Sequence, residues 1–425
     1  MPARPSAPLA LLAATTLALT LASAPAATAA PTATDTSDRI LLSPTATPDT
    51  ARTFTWRSAG TSTPTAQIAP AAAPDDVRAV SGTTTATLSG RTHHAATATG
   101  LTPDTDYRYR VGDGTTFGPW HTFTTTADEA DPFTFLYFGD IQNNITAGAA
   151  PVVRAALAAE PDADLAVHVG DLVDSANSDS QWSEWFAAFG PRATGGMDHL
   201  ATPGNHEYSA LSLSSRWAPQ FPTSGNGPTS GRDLSRTAHY TDYNGVRFVV
   251  LNSNHRNAAP LSASSWLNTQ QRWLDRVLTD NPHTWTVVLF HHPLFSNSPS
   301  RDNGRLRTAW LDTLEEHDVD LVLQGHDHSY GRGNLTAHRT DDPDVHTGPV
   351  YAVTVTGPKM YDIDPGNWTD NGAEVRVQFE DTQTYQTVDV DGGVLVYTAR
   401  TADGTVVDSF TIDKDGDDKR VTDTR

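Results

Sequence analysis

The sequence predicts an all-β sandwich near the N-terminus, followed by an α/β domain of four layers. Between about residues 39 and 126, short β-prone runs are broken by Pro, Gly and Thr, which is typical of a small sandwich. Between residues 133 and 324, apolar strands alternate with helical segments, the unit that builds a buried parallel sheet. β-like runs return between residues 349 and 412, and a second sheet packed over the first would complete an αββα sandwich. We therefore expect domains at residues 38–126 and 132–412.

The two ends of the chain are predicted to lie outside these domains. Residues 1–29 have the pattern of a secretory signal, with Arg4 as their one charge, an apolar run at 9–21 and small residues before a cleavage site near Ala29. We therefore expect a secreted protein exported by the general secretory route. No later segment is long and apolar enough to predict a membrane span. Residues 413–425 are predicted to be a solvated, acidic polar tail.

Composition restricts the partners and ligands of the chain. A chain of 425 residues can form two domains with a large core. Its formal net charge of -21 disfavours attraction to nucleic acid or to an anionic membrane, so we expect no nucleic-acid-binding surface. The chain has no cysteine, which excludes disulfides and thiolate ligands. Any transition metal must therefore be held by nitrogen and oxygen ligands.

Potential metal ligands follow several predicted strands. In an open α/β sheet, sites form at the carboxyl ends of the strands. Glycines in these segments allow tight turns and close approach of the backbone. In the last segment the two histidines are two residues apart, which places them on one side of an extended chain. The segments are Phe138-Gly139-Asp140, Val169-Gly170-Asp171, Pro203-Gly204-Asn205-His206-Glu207, His291-His292-Pro293 and Gly325-His326-Asp327-His328.

In this order, the five segments resemble the signature of the calcineurin-like metallophosphoesterase superfamily. Residues 101–111, which include Tyr107, resemble the tyrosine corner of fibronectin type III-like modules, with Trp56 as the core tryptophan. Such modules also precede the catalytic domains of purple acid phosphatases. The sequence is therefore identified as similar to a purple acid phosphatase, with a fibronectin type III-like sandwich ahead of a metallophosphoesterase domain.

The resemblance implies two metal ions (Fe, Mn or Zn) bridged by Asp171. It implies one ion bound by Asp140, Asp171 and His328, and the other by Asp171, Asn205, His291 and His326. Two ions about 3.5 to 4 Å apart lower the pKa of a bound water and bind the phosphoryl oxygens. The resemblance further implies that His206 faces the substrate and either protonates the leaving group or holds its oxygen.

Two positions depart from the family pattern near the first ion. Gln142 stands where the superfamily often has a histidine, and Asp174 stands where purple acid phosphatases have the tyrosine that gives their colour. Either the Gln142 amide oxygen or a water would complete this ligand set, and we expect an iron-loaded sample not to be purple. His292 is either a residue behind the ligands or a substrate contact. The candidates for additional roles at the metals are thus Gln142, Asp174 and His292.

Substrate recognition must also differ, because the histidines that follow His291 in purple acid phosphatases are absent here. The candidates for phosphate contact are Asn144, Asn254, His255, Arg301 and Arg305. The expected function is a secreted dinuclear phosphoesterase in which metal-activated hydroxide attacks a small phosphate ester, with a phosphomonoesterase of the acid phosphatase type favoured. A phosphodiesterase of the same superfamily is one alternative. A non-catalytic secreted binding protein with a degenerate metal site is the other.

Overall fold

The N-terminal part of the described chain folds as a β-sandwich. The structure is a computed structural model that describes residues 37–60, 63–416 and 418–425, so the signal-peptide prediction for residues 1–29 lies outside the described residues. The strands of this part are β1 Asp38–Pro44, β2 Ala51–Ser58, β3 Thr65–Pro70, β4 Arg78–Ser81, β5 Thr83–Leu88, β6 Arg91–Thr99, β7 Asp106–Gly112 and β8 His121–Thr124.

Two sheets of the sandwich enclose an aromatic core. One has the strand order β4-β3-β7-β8, and the other contains β1, β2, β6 and β5. Phe54 stacks on Tyr109 with ring centroids 4.1 Å apart, and Trp56 is buried beside them. The Tyr107 hydroxyl accepts a hydrogen bond from the Thr102 backbone N–H at 2.9 Å. This is the local contact expected of a tyrosine corner.

The remaining strands and the helices belong to the α/β part. The strands are β9 Phe133–Phe138, β10 Leu165–His168, β11 Asp198–Ala201, β12 Tyr208–Ser209, β13 Ser212–Leu213, β14 His239–Tyr243, β15 Val246–Val250, β16 Trp285–Leu289, β17 Leu321–Gln324, β18 Tyr330–Leu335, β19 Val345–His346, β20 Val350–Val353, β21 Ala373–Phe379, β22 Tyr385–Asp391, β23 Val394–Arg400, β24 Val406–Asp415 and β25 Asp418–Asp423. The α-helices are α1 Ala150–Ala159, α2 Asp179–Gly196, α3 His255–Ala258, α4 Ala263–Thr279, α5 Gly304–Glu316 and α6 Gly366–Thr369.

The largest sheet runs through both parts of the chain. Its order is β19-β25-β24-β23-β22-β9-β10-β11-β1-β2-β6-β5, because β11 pairs in parallel with β1 of the sandwich. The sequence pattern predicted separate domains at residues 38–126 and 132–412 and did not predict a shared sheet. An ion pair crosses the same junction, where Arg52 Nε lies 3.0 Å from the buried Asp198 Oδ2. The two parts are therefore joined through the backbone and through side chains.

A second sheet packs against the α/β half of the first. Its order is β14-β15-β16-β17-β20-β18-β21, and buried apolar side chains from both sheets form the core between them. Helices α1 and α2 contact each other over the first sheet, and α4 packs on α5 over the second. The predicted fold class, a β-sandwich followed by an α/β domain, is confirmed. Among the described residues, every helix is too short or too polar to cross a membrane.

The prediction of an acidic tail at residues 413–425 is wrong. Strands β24 and β25 form a hairpin that continues the largest sheet. Its side chains alternate, with Lys419 and Val421 buried and Arg420 exposed between them. The density of charged residues predicted a solvated segment. Alternation with a period of two, with an apolar residue facing the core, is nevertheless enough for a strand near the edge of a sheet.

Two buried histidines pack face to face under the first sheet. The rings of His168 and His199 are stacked with centroids 5.2 Å apart, and His168 Nε2 lies 3.0 Å from His199 Nδ1. His199 Nε2 donates to the Ala193 carbonyl at 3.4 Å. Burial lowers the pKa of His168 well below its usual value and that of His199 to about 4. Both rings are therefore neutral in the folded protein near pH 7.

His168→Phe is expected to make stability less sensitive to acid. The unfolded chain protonates His168 near pH 6.5 and the folded chain only at much lower pH, so stability falls as pH drops below 6.5. Each such histidine contributes about 1.4 kcal/mol per pH unit in that range. Urea unfolding at pH 5, 6 and 7 should show a shallower pH dependence for the variant. Equal slopes for both proteins would contradict a neutral His168.

Candidate metal centre

The candidate ligands lie at one edge of the two facing sheets. Strands β9, β10 and β11 are parallel neighbours in the first sheet, and β15, β16 and β17 are parallel neighbours in the second. Because carboxyl ends of parallel strands share an edge, the residues just beyond them meet. The side chains that follow these strand ends are Asp140 after β9, Asp171 after β10, Asn205 after β11, His291 after β16, and His326 and His328 after β17.

Four of these residues have a left-handed backbone. The φ angles are 47° for Asp140, 51° for Asp171, 75° for His326 and 49° for His328. This conformation costs about 1–3 kcal/mol for each non-glycine residue and is concentrated at functional sites. A Cβ at Gly204 would overlap Asp171 Oδ1, so glycine is required where these two loops touch. The surrounding fold therefore holds strained turns at the site.

The side chains assigned to the second ion meet around one atom. His291 Nε2 lies 3.2 Å from Asp171 Oδ2, 3.2 Å from Asn205 Oδ1 and 3.1 Å from His326 Nδ1. The other ring nitrogen of His291 donates to the Val169 carbonyl at 2.8 Å. That bond fixes the ring so that Nε2 faces the other three side chains.

The side chains assigned to the first ion lie next to this group. His328 Nε2 is 3.5 Å from Asp140 Oδ1, and His328 Nδ1 donates to the Lys359 carbonyl at 2.9 Å. The amide nitrogen of Gln142 lies 3.1 Å from Asp171 Oδ2 and 3.0 Å from His328 Nε2. Gln142 Oε1 has no hydrogen-bond partner among the described residues. Rotation of this amide by half a turn would direct its oxygen between Asp171 and His328.

Asp174, the other residue that differs from the family pattern, lies beside His206. Its Oδ1 accepts from Asn143 Nδ2 at 2.7 Å, and its backbone carbonyl accepts from His206 Nδ1 at 2.6 Å. The Asp174 carboxylate is 3.7 Å from the same His206 nitrogen. Asp174 therefore orients His206. Of the two residues that differ from the family pattern, Gln142 is the one that lies between Asp171 and His328.

The residues of the site fit metal ions on two observations. The buried Asp140 Oδ1 has no hydrogen-bond partner in the described part of the chain, which is costly unless a cation is bound. Asp140, Asp171 and His291 each present a ligand atom within 4.8 Å of the others, and so do His291, His292 and His326. Carboxylate, amide and imidazole ligands suit Fe, Mn or Zn.

Charge within the site follows from burial and from one close pair. Burial lowers the pKa of His291, but Asp171 outweighs it and raises that pKa to about 9. Burial pushes the pKa of Asp171 upwards, while the charge of His291 holds it below its usual range. Burial raises the pKa of Asp140 and lowers that of His328 to about 4. A neutral His328 is the form that binds a metal.

His206 is the candidate catalytic residue that reaches solvent. Its side chain is 27% exposed. Its Nδ1 is bonded to the Asp174 carbonyl, and its Nε2 has no partner among the residues described. Its backbone N–H donates to Asp171 Oδ1 at 2.8 Å, which ties its position to the bridging carboxylate.

The other sequence candidates are distributed around the centre. His292 packs behind the ligands, with its ring 4.2 Å from that of His326 and its Nδ1 2.9 Å from Ser253 Oγ. Asn254 is buried and donates to the Pro203 carbonyl at 2.7 Å, so it fixes the loop before Asn205. Asn144 is exposed at the start of a π-helical turn. His255 and Arg305 line a neighbouring cavity.

Arg301 lies beside the ligands of the last motif. Its Nη1 donates to the His326 carbonyl at 2.8 Å and to Asp327 Oδ1 at 3.0 Å. Its guanidinium lies 4.8 Å from the ring of Tyr361, which also contacts the His328 ring. Lys359 Nζ is 5.2 Å from the same Tyr361 ring. Lys359 and Tyr361 were missed, because they follow β20 without a recognisable motif.

Two buried carboxylates that support the loops were also missed. Glu207 accepts backbone N–H bonds from Asp171 and Gly204 on one oxygen, and from Leu172 and Val173 on the other. Asp327 accepts from the Ser296 hydroxyl, the Asn297 N–H and Arg301. Both residues lie inside the motifs quoted above. Their position in the sequence next to the proposed ligands could therefore have identified them.

Glu207→Gln is expected to destabilise the protein by about 3 kcal/mol. One carboxylate oxygen becomes an NH2 group, which cannot accept, and the two N–H groups facing it lose their partner in a buried site. Urea unfolding should show this loss of stability in Glu207→Gln and no loss in the control Glu316→Gln, which changes an exposed residue. A change below about 0.5 kcal/mol would show that these bonds contribute little.

Comparison with known proteins agrees with both parts of the architecture. Residues 133–330 match the family model for calcineurin-like phosphoesterases, and residues 37–125 match that for the purple acid phosphatase N-terminal domain. Purple acid phosphatase 15 of Arabidopsis thaliana is 26% identical over 307 residues, or 63% of this chain and 54% of that protein. An uncharacterised protein of Mycobacterium tuberculosis is 28% identical over 280 residues, or 57% of this chain and 51% of that protein. The match therefore spans about half the length of these relatives.

Solved structures show the same fold. A purple acid phosphatase from yellow lupin seeds superposes with a TM-score of 0.73 and 18% identity, covering 90% of this chain and 75% of the other. PhoD superposes with a TM-score of 0.62 and 15% identity, covering 93% and 94%. Residues 37–125 therefore match a purple acid phosphatase N-terminal domain, and residues 133–330, which follow them, match a calcineurin-like phosphoesterase domain.

Proposed function

We propose that this protein is a dinuclear metal-dependent phosphoesterase that prefers phosphate monoesters. Residues 1–29 would serve as its secretory signal. The observation that carries the proposal is the convergence of Asp171, Asn205 and His326 on His291 Nε2, each within 3.2 Å. Asp140, Asp171 and His328 would hold the first ion, and Asp171, Asn205, His291 and His326 the second. Two ions held in this way supply a nucleophile at neutral pH and positive charge facing the phosphoryl oxygens.

The chain itself would bind the ester and deliver a proton. The free Nε2 of His206 faces away from its bond to Asp174, so it can hold the proton that the leaving oxygen takes. Lys359 places positive charge beside Tyr361 and His328, while Arg301, 4.8 Å from the same ring, is ion-paired with Asp327. A dianionic monoester gains more from this charge than a monoanionic diester does. This difference supports a preference for monoesters.

The assay that tests the proposal compares two esters of the same alcohol. The full chain is loaded with Mn, Fe or Zn, and hydrolysis of p-nitrophenyl phosphate and of bis(p-nitrophenyl) phosphate is followed across pH. Faster turnover of the monoester, with two ions bound per chain, is the expected result. Faster turnover of the diester would replace the proposal with a phosphodiesterase. Bound metal without turnover of either ester would favour a binding protein.

Gln142→His is expected to tighten binding of the first ion. Gln142 lies between Asp171 and His328, and an imidazole is a stronger ligand than an amide. Titration of the metal-free protein with Zn should show about tenfold tighter binding of the weaker ion. Gln378→His, at a position that contacts Asn297 away from the ligands, is the control. Unchanged affinity in Gln142→His would mean that Gln142 is not at the ion.

A further inference from the structure

A cavity of about 570 Å³ lies beside His255, two residues along the chain from Ser253. Its walls come from the loop after β15 and from the start of α5, and they include His255, Arg256, Pro260 and Arg305. We call it the arginine cavity. Neither the metal ligands nor His206 line it, so the proposed reaction leaves its residues unexplained.

The arginine cavity carries positive charge that the protein does not neutralise. Arg256 and Arg305 are exposed, and neither side chain makes a hydrogen bond or ion pair with a described residue. The one carboxylate on the wall, Asp302, is ion-paired with Arg307 and accepts from Asn367 Nδ2 at 3.2 Å. Two guanidinium groups without an ion pair therefore line one cavity of a chain whose formal net charge is -21. Such groups bind planar oxyanions with two parallel hydrogen bonds.

His255 adds a polar side chain to the same wall. Its side chain belongs to a residue only 6% exposed, and its Nδ1 lies 3.2 Å from the Ser253 carbonyl. Its Nε2 has no hydrogen-bond partner in the described ranges. Burial, together with the charges of Arg256 and Arg305, lowers the pKa of His255. The ring is therefore neutral, with Nδ1 bonded to the Ser253 carbonyl and Nε2 left as a hydrogen-bond acceptor on the cavity wall.

Ser253 joins the arginine cavity to the metal centre. Its hydroxyl bonds to His292 Nδ1 at 2.9 Å, while its carbonyl faces His255. The His292 ring in turn lies 4.2 Å from that of His326. The cavity wall is therefore connected to the second-ion ligands through Ser253 and His292. A molecule with its phosphoryl group at the ions would have to pass these two residues to reach the cavity.

We propose that the arginine cavity binds a second anionic group of the substrate. The preferred substrates would then be phosphate esters that carry another phosphate or a carboxylate several atoms from the phosphorus that is attacked. Arg256 and Arg305 bind that group. The inference rests on the proposed phosphoesterase function and names its substrate class.

Matched ester series test the inference. Linear diols phosphorylated at one end are compared with the same diols phosphorylated at both ends, and with ω-carboxyalkyl phosphates of equal length. For the wild-type protein we expect KM to be about tenfold lower for the doubly anionic esters at the length that reaches the cavity. Arg256→Ala should remove this advantage and leave the rates on the diol monophosphates within about twofold, and Arg305→Ala should also remove the advantage. The phosphate and carboxylate series show which anion is preferred.

Arg272→Ala is the matched control, because Arg272 is an exposed arginine of α4 that does not line the cavity. Equal KM values for both kinds of ester in the wild type would overturn the inference, as would equal losses on both series in Arg256→Ala. If no ester is hydrolysed, the phosphoesterase proposal fails by itself. Calorimetric binding of the alkane bisphosphate then tests the cavity directly: binding lost in Arg256→Ala and Arg305→Ala supports it, and binding unchanged in both overturns it.

Discussion

Asp171→Asn is expected to lower kcat for p-nitrophenyl phosphate by at least about a thousandfold. Asp171 is the side chain shared by both proposed ions, and its two oxygens contact His291 Nε2, Gln142 and the His206 N–H. An asparagine keeps the shape but loses the negative charge and one acceptor. Both ions would therefore bind more weakly, and metal content should fall together with activity.

Metal analysis, circular dichroism and initial rates measured on one preparation separate this effect from misfolding. Asp312→Asn is the matched control, because Asp312 is an exposed carboxylate of α5 that makes no contact with the site. A folded Asp171→Asn protein that retains two ions and near-normal kcat would contradict a bridging role. A folded variant that loses one ion would assign Asp171 to that ion alone.

The strands could be predicted where burial leaves a direct pattern in the sequence. Strands β9, β16 and β17 are continuous apolar runs, because both of their faces are covered. Strand β11, with the sequence Asp-His-Leu-Ala, has no such pattern. Its charge is matched by Arg52, more than a hundred residues earlier in the chain. A partner so distant cannot be inferred locally, and the shared sheet was missed for that reason.

The candidate site could likewise be predicted only in part. Residues that directly follow apolar strands could be located, because the end of a strand fixes where its next side chains lie. Glu207 and Asp327 were passed over because their partners are backbone N–H groups of other loops. The position of Gln142 beside His328, and of Asp174 beside His206, depends on loop conformation. Sequence could show that the family pattern breaks at both positions but not which of the two lies at the ions.

His206→Ala is expected to lower kcat by about 10² to 10⁴ for alkyl phosphates and by much less for p-nitrophenyl phosphate. An alkoxide is a poor leaving group without a proton, whereas nitrophenolate leaves without one. The difference arises if Nε2 of His206 supplies that proton, since its Nδ1 is held by the Asp174 carbonyl at 2.6 Å. Metal content should not change, because the assigned ligands remain in place.

A series of phosphate monoesters with increasingly basic leaving groups gives the decisive measurement. The wild-type rates should vary little along the series, and the His206→Ala rates should fall steeply as the leaving group becomes more basic. His317→Ala serves as the control, because His317 pairs with Asp275 on the surface. A purely positioning role for the His206 side chain, through its Nδ1 bond to the Asp174 carbonyl, would lower all rates by the same factor. Parallel plots for the variant and the wild type would therefore remove His206 from the proton transfer and leave the metal centre as the site of the chemistry.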